Sequence, residues 1–270
     1  MNIPTFLKWP GGKRRILSKI DFPEKIDRYF EPFQGAASVF FYVKQKYNPK
    51  FCMISDINKD LIETFKAVRD NPKELIHYLR YFKRKNSKEF YYMIRKKFNN
   101  KKIVGIRRCA AFIYLNKTCF NGIYRVNSKN EFNVPYGKYE NPEIFNKENI
   151  FLASKLLQGV KIKHQDYRKI ISRVKEGDFI YLDPCYDPIK KTSFANYTPE
   201  RFREEDRIEL AKYFRTLDNK GAKVILSNNP VPEVREEYSE FNIKEIMVSR
   251  SINSNINERC PVKELIISNN

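Results

Sequence analysis

Residues that bind metals or form disulfides are scarce. In 270 residues there are five cysteines, Cys52, Cys109, Cys119, Cys185 and Cys260, with no C-x-x-C pair, and two histidines, His77 and His164. A structural zinc site wants four closely spaced ligands, and that pattern is missing. The expectation is therefore reduced thiols, no disulfide framework and no metal, with little histidine for acid–base chemistry. No apolar run reaches the roughly 18 residues of a membrane span. The opening MNIPTFLKWPGGKRR has no apolar h-region of a signal peptide. These absences point to a cytoplasmic protein with no membrane partner. A Walker phosphate loop, G-x-x-x-x-G-K-[ST], is absent too.

Acidic residues are the other shortage. There are 32 Asp and Glu against 52 Lys and Arg, a formal charge of +20. A chain rich in Lys, Asn and Ile reaches such a balance by composition alone, but a polyanionic partner is the favoured reading. No long basic amphipathic helix with a Trp/Leu/Phe face stands out, which argues against a membrane surface. Aromatic residues make up 14%, enough for a core and against extended disorder. The length fits one large domain or two small ones, at roughly 150 residues per domain.

The chain divides by texture. Residues 1–68 and 158–270 alternate short strand-like runs with helix-like ones. Residues 69–157 are dense in Lys, Arg, Tyr, Phe and Asn. Strands are expected at 51–55, 179–182 and 223–226, each running into a polar residue, and at 243–248 and 262–268 as a closing pair. Helices are expected at 58–69 and at 199–217, the latter after Thr198 as N-cap with Pro199 at the first helical position. Alternating strands and helices predict a mostly parallel α/β sheet, in which ligands bind beyond the carboxyl ends of the strands. Within 69–157, residues 73–98 predict helices with basic faces, and 106–115 an apolar helix. The Asn, Gly and Pro of 121–137 predict a loop or irregular hairpin.

Three constellations carry chemistry. EPFQGAAS, residues 31–38, has the pattern strand, tight turn, helix start, with Gly35 allowing close backbone approach. Asp56 follows about 20 residues later at the end of the next strand, the spacing of a carboxylate that accepts ribose hydroxyls. DPCY, residues 183–186, ends the strand FIYL. Asp183 and the Pro184 carbonyl can accept hydrogen bonds, and Tyr186 offers a ring face to a planar ligand. FLKWPGGKRR, residues 6–15, joins the only tryptophan, Trp9, to Gly11-Gly12 and to Lys8, Lys13, Arg14 and Arg15. It is either a site segment or a disordered basic arm.

Taken together, FLKWPGGK, EPFQGAAS, SDIN at 55–58, NGIYRVNSKNEFNVPYGKY at 121–139, YLDPCY at 181–186 and LSNN at 226–229 stand in the order found in Dam-type (D12 class) DNA adenine-N6 methyltransferases. The chain resembles that family over nearly its whole length. The resemblance implies an α/β methyltransferase fold, a mostly parallel seven-stranded sheet with flanking helices, built from 1–68 and 158–270. It implies a mainly helical DNA-recognition insertion at 69–157. It implies S-adenosyl-L-methionine as cofactor, held by Trp9, Lys13, Gly35, Asp56 and Asp183. Asp183, Pro184 and Tyr186 would be catalytic. Lys8, Phe120, Asn121, Ile123, Arg125, Pro135, Lys138 and Tyr139 would contact double-stranded DNA, with Arg125 as the base reader and Phe120 as a wedge. The expected reaction is methylation of a flipped-out adenine, with GATC as first guess, by a protein that is monomeric in solution. Two departures stand out. The family's F-x-G-x-G becomes Phe33-Gln34-Gly35-Ala36-Ala37, adding a methyl group where cofactor and backbone come close, and its D-P-P-Y carries Cys185 at the third position. A non-catalytic DNA-binding homologue, or an enzyme acting on RNA or cytosine N4, stays open as an alternative; an Asn-headed tetrad would favour cytosine, whereas Asp183 favours adenine.

Overall fold

A computed structural model describes residues 2–9, 11–184, 204–248 and 262–269. Its strands are β1 (Arg28–Glu31), β2 (Phe51–Asp56), β3 (Lys161–His164), β4 (Phe179–Leu182), β5 (Lys223–Asn228), β6 (Asn242–Val248) and β7 (Val262–Ser268). They form one seven-stranded sheet in the order β3-β2-β1-β4-β5-β7-β6. The first five are parallel, and β7 runs antiparallel to both β5 and β6. This is the mostly parallel sheet that the strand pattern and the resemblance predict.

The strands read as near-continuous apolar runs because both faces are covered. Alternate residues serve opposite sides. Tyr29, Cys52, Ile54, Phe179, Tyr181, Ile225 and Ile266 join one core cluster. Phe30, Met53, Ile180, Leu182, Val224, Leu226, Leu265 and Ile267 join the other. On the first face lie α1 (Ser38–Tyr47), α2 (Lys59–Asp70) and α6 (Lys147–Leu157). The second is covered by α7 (Glu204–Asn219) and the short α8 (Pro232–Glu237). The expected start of α7 at Thr198-Pro199 lies outside the described residues.

Between α2 and α6 come α3 (Pro72–Arg84), α4 (Lys88–Asn99) and α5 (Gly105–Thr118). Their starts follow local chemistry. Asn58 and Ser87 cap α2 and α4 through side-chain oxygens that accept from Leu61 and Phe90 N–H, and Pro72 opens α3. α5 is buried on nearly every side from Cys109 to Thr118, since it packs against α2, α3 and α4. The first core cluster runs without a break from the sheet into these helices.

β3 is the strand the sequence conceals. Only Ile162 of Lys161–His164 is buried, so the segment lacks an apolar run. It is an edge strand with lysines facing solvent, a disposition that discourages pairing with other chains. Cys52, Cys109 and Cys119 are free and buried. No helix among the described residues is long and apolar enough to cross a membrane, and no group of three or more metal-ligating side chains is found among them.

Candidate active site

Strand order reverses between β1 and β4, so the crevice at their carboxyl ends is the topological switch point of the sheet. Two of the sequence constellations meet there. The Gly35 turn follows β1, and Asp183-Pro184 follows β4. Asp56 ends β2, next to β1.

The turn is tied down by its own backbone. Gln34 N–H donates to the Ser55 carbonyl (3.0 Å), and Ala37 N–H to the Gln34 carbonyl (2.6 Å). Gly35 has φ +45°, and a Cβ there would stand 2.8 Å from Trp9 Cδ1. Glycine is thus needed both for the left-handed backbone and for the indole that closes over it. Trp9 in turn stacks on Tyr124 of the 119–139 segment, with ring centres 5.5 Å apart. Ala37 also has a left-handed backbone, φ 54° and ψ 35°. That conformation explains why a glycine is usual at this point in the family's pattern. The alanine methyl, where the sequence reading expected a cofactor wall, is fully buried in the first core cluster.

Asp56 is oriented by two main-chain donors, Gly35 N–H (3.2 Å) and Asn58 N–H (2.9 Å), one to each carboxylate oxygen. Burial pushes its pKa up to about 6 against the restraint of those N–H groups. Gln34, the neighbour of Gly35, is buried, and among the described residues neither its amide N–H nor its amide oxygen is hydrogen-bonded.

Lys13, on the segment read from sequence as either a site segment or a basic arm, is 3% exposed. Its Nζ lies 2.7 Å from Asp183 Oδ1 and 3.2 Å from Glu264 Oε1, and donates to the Gly11 carbonyl at 2.8 Å. Burial opposes its charge, but the two carboxylates prevail and hold its pKa above the ordinary lysine value. Behind this cluster Glu31 accepts a hydrogen bond from Tyr29 Oη at 2.7 Å. Burial raises Glu31 to about 8, helped by the charge of Asp183 and opposed by the Tyr29 hydrogen bond. The Tyr181 and Ser227 hydroxyls pair at 2.6 Å beneath Asp183. Cys185 and Tyr186 lie outside the described residues.

The expected DNA-contacting residues gather on an irregular hairpin. Single antiparallel bridges join Cys119 to Tyr136 and Val126 to Phe132. Phe120 N–H donates to the Pro135 carbonyl (2.8 Å) and Gly137 N–H to the Thr118 carbonyl (2.8 Å). Phe120, 45% exposed, thereby stands beside Pro135. Asn116, buried at the end of α5, clamps the N-terminal segment to this turn. Its amide accepts from Lys8 N–H (2.8 Å) and donates to the carbonyls of Lys8 (2.8 Å) and Gly122 (3.2 Å). The exposed Lys8 ammonium then lies 4.6 Å over the Tyr139 ring. Asn121 and Lys138 both have positive φ, 55° and 54°. Ile123 follows at the foot of the hairpin. Arg125 sits further along, its Nε donating to Asn133 Oδ1 at 2.7 Å, with its terminal amino groups making no hydrogen bond among the described residues.

Glu31, Gln34, Asn116 and Glu264 escape the sequence reading. For Glu264 the signal is a charged residue inside the apolar strand VKELIIS; for Asn116 it is a buried amide in an apolar helix.

A model of the D12 class of N6 adenine-specific DNA methyltransferases matches residues 9–252. The chain belongs to that family. It is a site-specific DNA methyltransferase of the adenine-specific kind, and its sheet is the methyltransferase fold. Curated relatives cover it almost end to end. The type II methyltransferase M.MjaIII of Methanocaldococcus jannaschii is 44% identical, over 100% of both chains. The type II methyltransferase M1.LlaDCHI of Lactococcus lactis subsp. cremoris is 40% identical, over 100% of this chain and 96% of its own. The DNA adenine methylase of Haemophilus influenzae is 34% identical, over 97% of this chain and 92% of its own.

Proposed function

We propose that this methyltransferase flips an adenine out of duplex DNA and methylates its N6 within a specific site, GATC being the first candidate, with S-adenosyl-L-methionine as donor. The reading rests on one observation above the others: Asp183, followed by Pro184, stands at the switch point of the sheet with its carboxylate held by a buried lysine.

The residues present fit the cofactor. Asp56 offers an oriented carboxylate to paired hydroxyls, Gly35 lets the Trp9 indole close over the turn, and the Gln34 amide, without a hydrogen bond among the described residues, can take a polar partner. Trp9, Lys13, Gly35, Asp56 and Asp183 would hold it, and it would supply an electrophilic methyl group on a sulfonium. The rest of the chemistry belongs to the protein. An adenine N6 lone pair is delocalised into the ring and buried in the base stack. Flipping costs a few kcal/mol. Asp183 and the Pro184 carbonyl each accept one N6 hydrogen, which favours a pyramidal nitrogen with a localised lone pair. The same acceptors stabilise positive charge as it develops on N6, and Asp183 can take up the departing proton. Tyr186, directly after Cys185, would stack on the extruded base. Holding the nucleophile in line supplies much of the remaining acceleration.

Segment 69–157 is the recognition insertion in this reading. Lys8, Asn121, Ile123, Pro135, Lys138 and Tyr139 grip the duplex, Phe120 wedges into the stack, and Arg125 reads guanine O6 and N7. The protein acts as a monomer in the cytoplasm. The test is transfer of labelled methyl groups to unmethylated duplexes with and without GATC, followed by identification of the product base. N6-methyladenine confined to GATC duplexes is expected. N4-methylcytosine, or binding without transfer, would overturn the reading.

A further inference from the structure

Glu264 has no part in the proposed reaction, yet it is 8% exposed and carries a carboxylate into the buried stretch of its strand, beside Leu265, Ile266 and Ile267. It reaches the site because β7 is reversed. The parallel strands deliver their last residues to the switch-point edge; the antiparallel β7 delivers its first, with Leu265 opposite Asn228 at the end of β5. There Glu264 Oε1 meets Lys13 Nζ at 3.2 Å, while Asp183 Oδ1 takes the same ammonium at 2.7 Å and the Gly11 carbonyl takes it at 2.8 Å. An ammonium has three hydrogens. Three acceptors of three different elements therefore fix Lys13 as a tripod, and through it one oxygen of Asp183.

We infer that Glu264 is a positioning residue for methyl transfer: through Lys13 it sets both the orientation and the residual charge of the Asp183 carboxylate. The inference rests on the proposed role of Asp183. Lys13 paired with Asp183 alone would neutralise the group that must accept hydrogens from an N6 growing positive. Shared between two carboxylates, the same lysine orients Asp183 while giving it only part of its charge. Removing Glu264 frees one leg of the tripod and lets Lys13 bind Asp183 more fully. Both effects weaken the acceptor without touching the DNA surface.

The test is a double-mutant cycle with single-turnover methylation of unmethylated duplex DNA by the full chain. Glu264→Gln should slow methylation at least tenfold at saturating cofactor and DNA, with the half-saturating concentrations changed less than threefold. Glu264→Asp, which keeps the charge, should recover most of that loss. In a Lys13→Met background, Glu264→Gln should bring no further loss, because no ammonium remains for it to act through. A merely structural Glu264 would lower the rate by the same factor in both backgrounds, and that result overturns the inference. So does Glu264→Gln at the wild-type rate, or a Glu264→Gln chain that fails to fold. Wild type that transfers no methyl group to adenine would overturn the proposed function as well; an active wild type with any of the other outcomes removes this inference alone.

Discussion

The switch-point crevice and the 119–139 hairpin are built by opposite means. In the crevice, polar and charged groups are taken out of water and matched: Lys13 against Asp183 and Glu264, Glu31 against Tyr29, Tyr181 against Ser227. In the hairpin, charge stays in water, and order comes from single bridges, main-chain hydrogen bonds and the Asn116 clamp. Buried pairs are sensitive to loss of either partner, since what remains is an uncompensated charge. Exposed groups on a tethered loop tolerate change one at a time. The two regions should therefore fail differently, the crevice in rate and pH dependence, the hairpin in selectivity.

The largest effect should come from the centre of the crevice. Asp183→Ala should reduce methyl transfer by roughly a thousandfold or more, about 4 kcal/mol in the barrier, while non-specific DNA binding measured by anisotropy stays near wild type. Activity above a few per cent would remove the distinction between the two regions. Glu31 tests the same region through pH. Its native pKa of about 8 lies above the ordinary 4.5, so the folded chain keeps a proton that the unfolded chain releases. Stability should thus fall as pH rises from about 4.5 to about 8, by up to about 1.4 kcal/mol per pH unit. Glu31→Gln can still accept from Tyr29 and should lose this dependence, leaving it more stable than wild type at alkaline pH in denaturant titrations. Parallel curves for the two proteins from pH 5 to 9 would show that Glu31 is not a buried carboxylate of this kind.

The hairpin supplies a smaller effect of another type. Arg125→Ala should cost roughly 1–3 kcal/mol at one guanine and relax selectivity there. Equal losses on cognate and altered duplexes would make Arg125 a phosphate contact instead. The smallest effect belongs to Ala37. Glycine would relieve a left-handed backbone, worth about 1–2 kcal/mol, but would give up a buried methyl group worth about 0.8 kcal/mol. Ala37→Gly should therefore change stability by no more than about 1 kcal/mol, upward if at all, as read from the denaturation midpoint.

What was legible in the sequence divides along the same line. Asp56 and Asp183 could be placed because a parallel strand buried on both faces is an apolar run, and a polar residue at its end marks the site edge. The expected pairing of 243–248 with 262–268 is found as β6 and β7. Glu264 escaped that logic because its strand runs backwards and presents its beginning, where no rule about strand ends applies. Asn116 escaped because its partners, Lys8 and Gly122, are a main chain 108 positions away and a turn carbonyl. Ala37 could be recognised as a departure, but not that its backbone is left-handed and its methyl group buried. The eight expected DNA contacts share one hairpin and the adjoining Lys8, yet only the fold brings Lys8 to Tyr139.

The reversed strand also bears on how the enzyme comes into being. Lys13 stands near one end of the described chain and Glu264 near the other, so their ion pair closes one of the longest loops the sheet allows. The entropy of closing that loop is met only together with the contacts that β7 makes to β5 and β6. A chain that has assembled β1 to β5 but not yet added β7 has a crevice, a Gly35 turn and an Asp183, but not the third acceptor of the tripod. Local opening of the β6–β7 edge would undo the same element while most of the core stays intact. On the role inferred for Glu264, catalytic competence requires the sheet to be complete through β7.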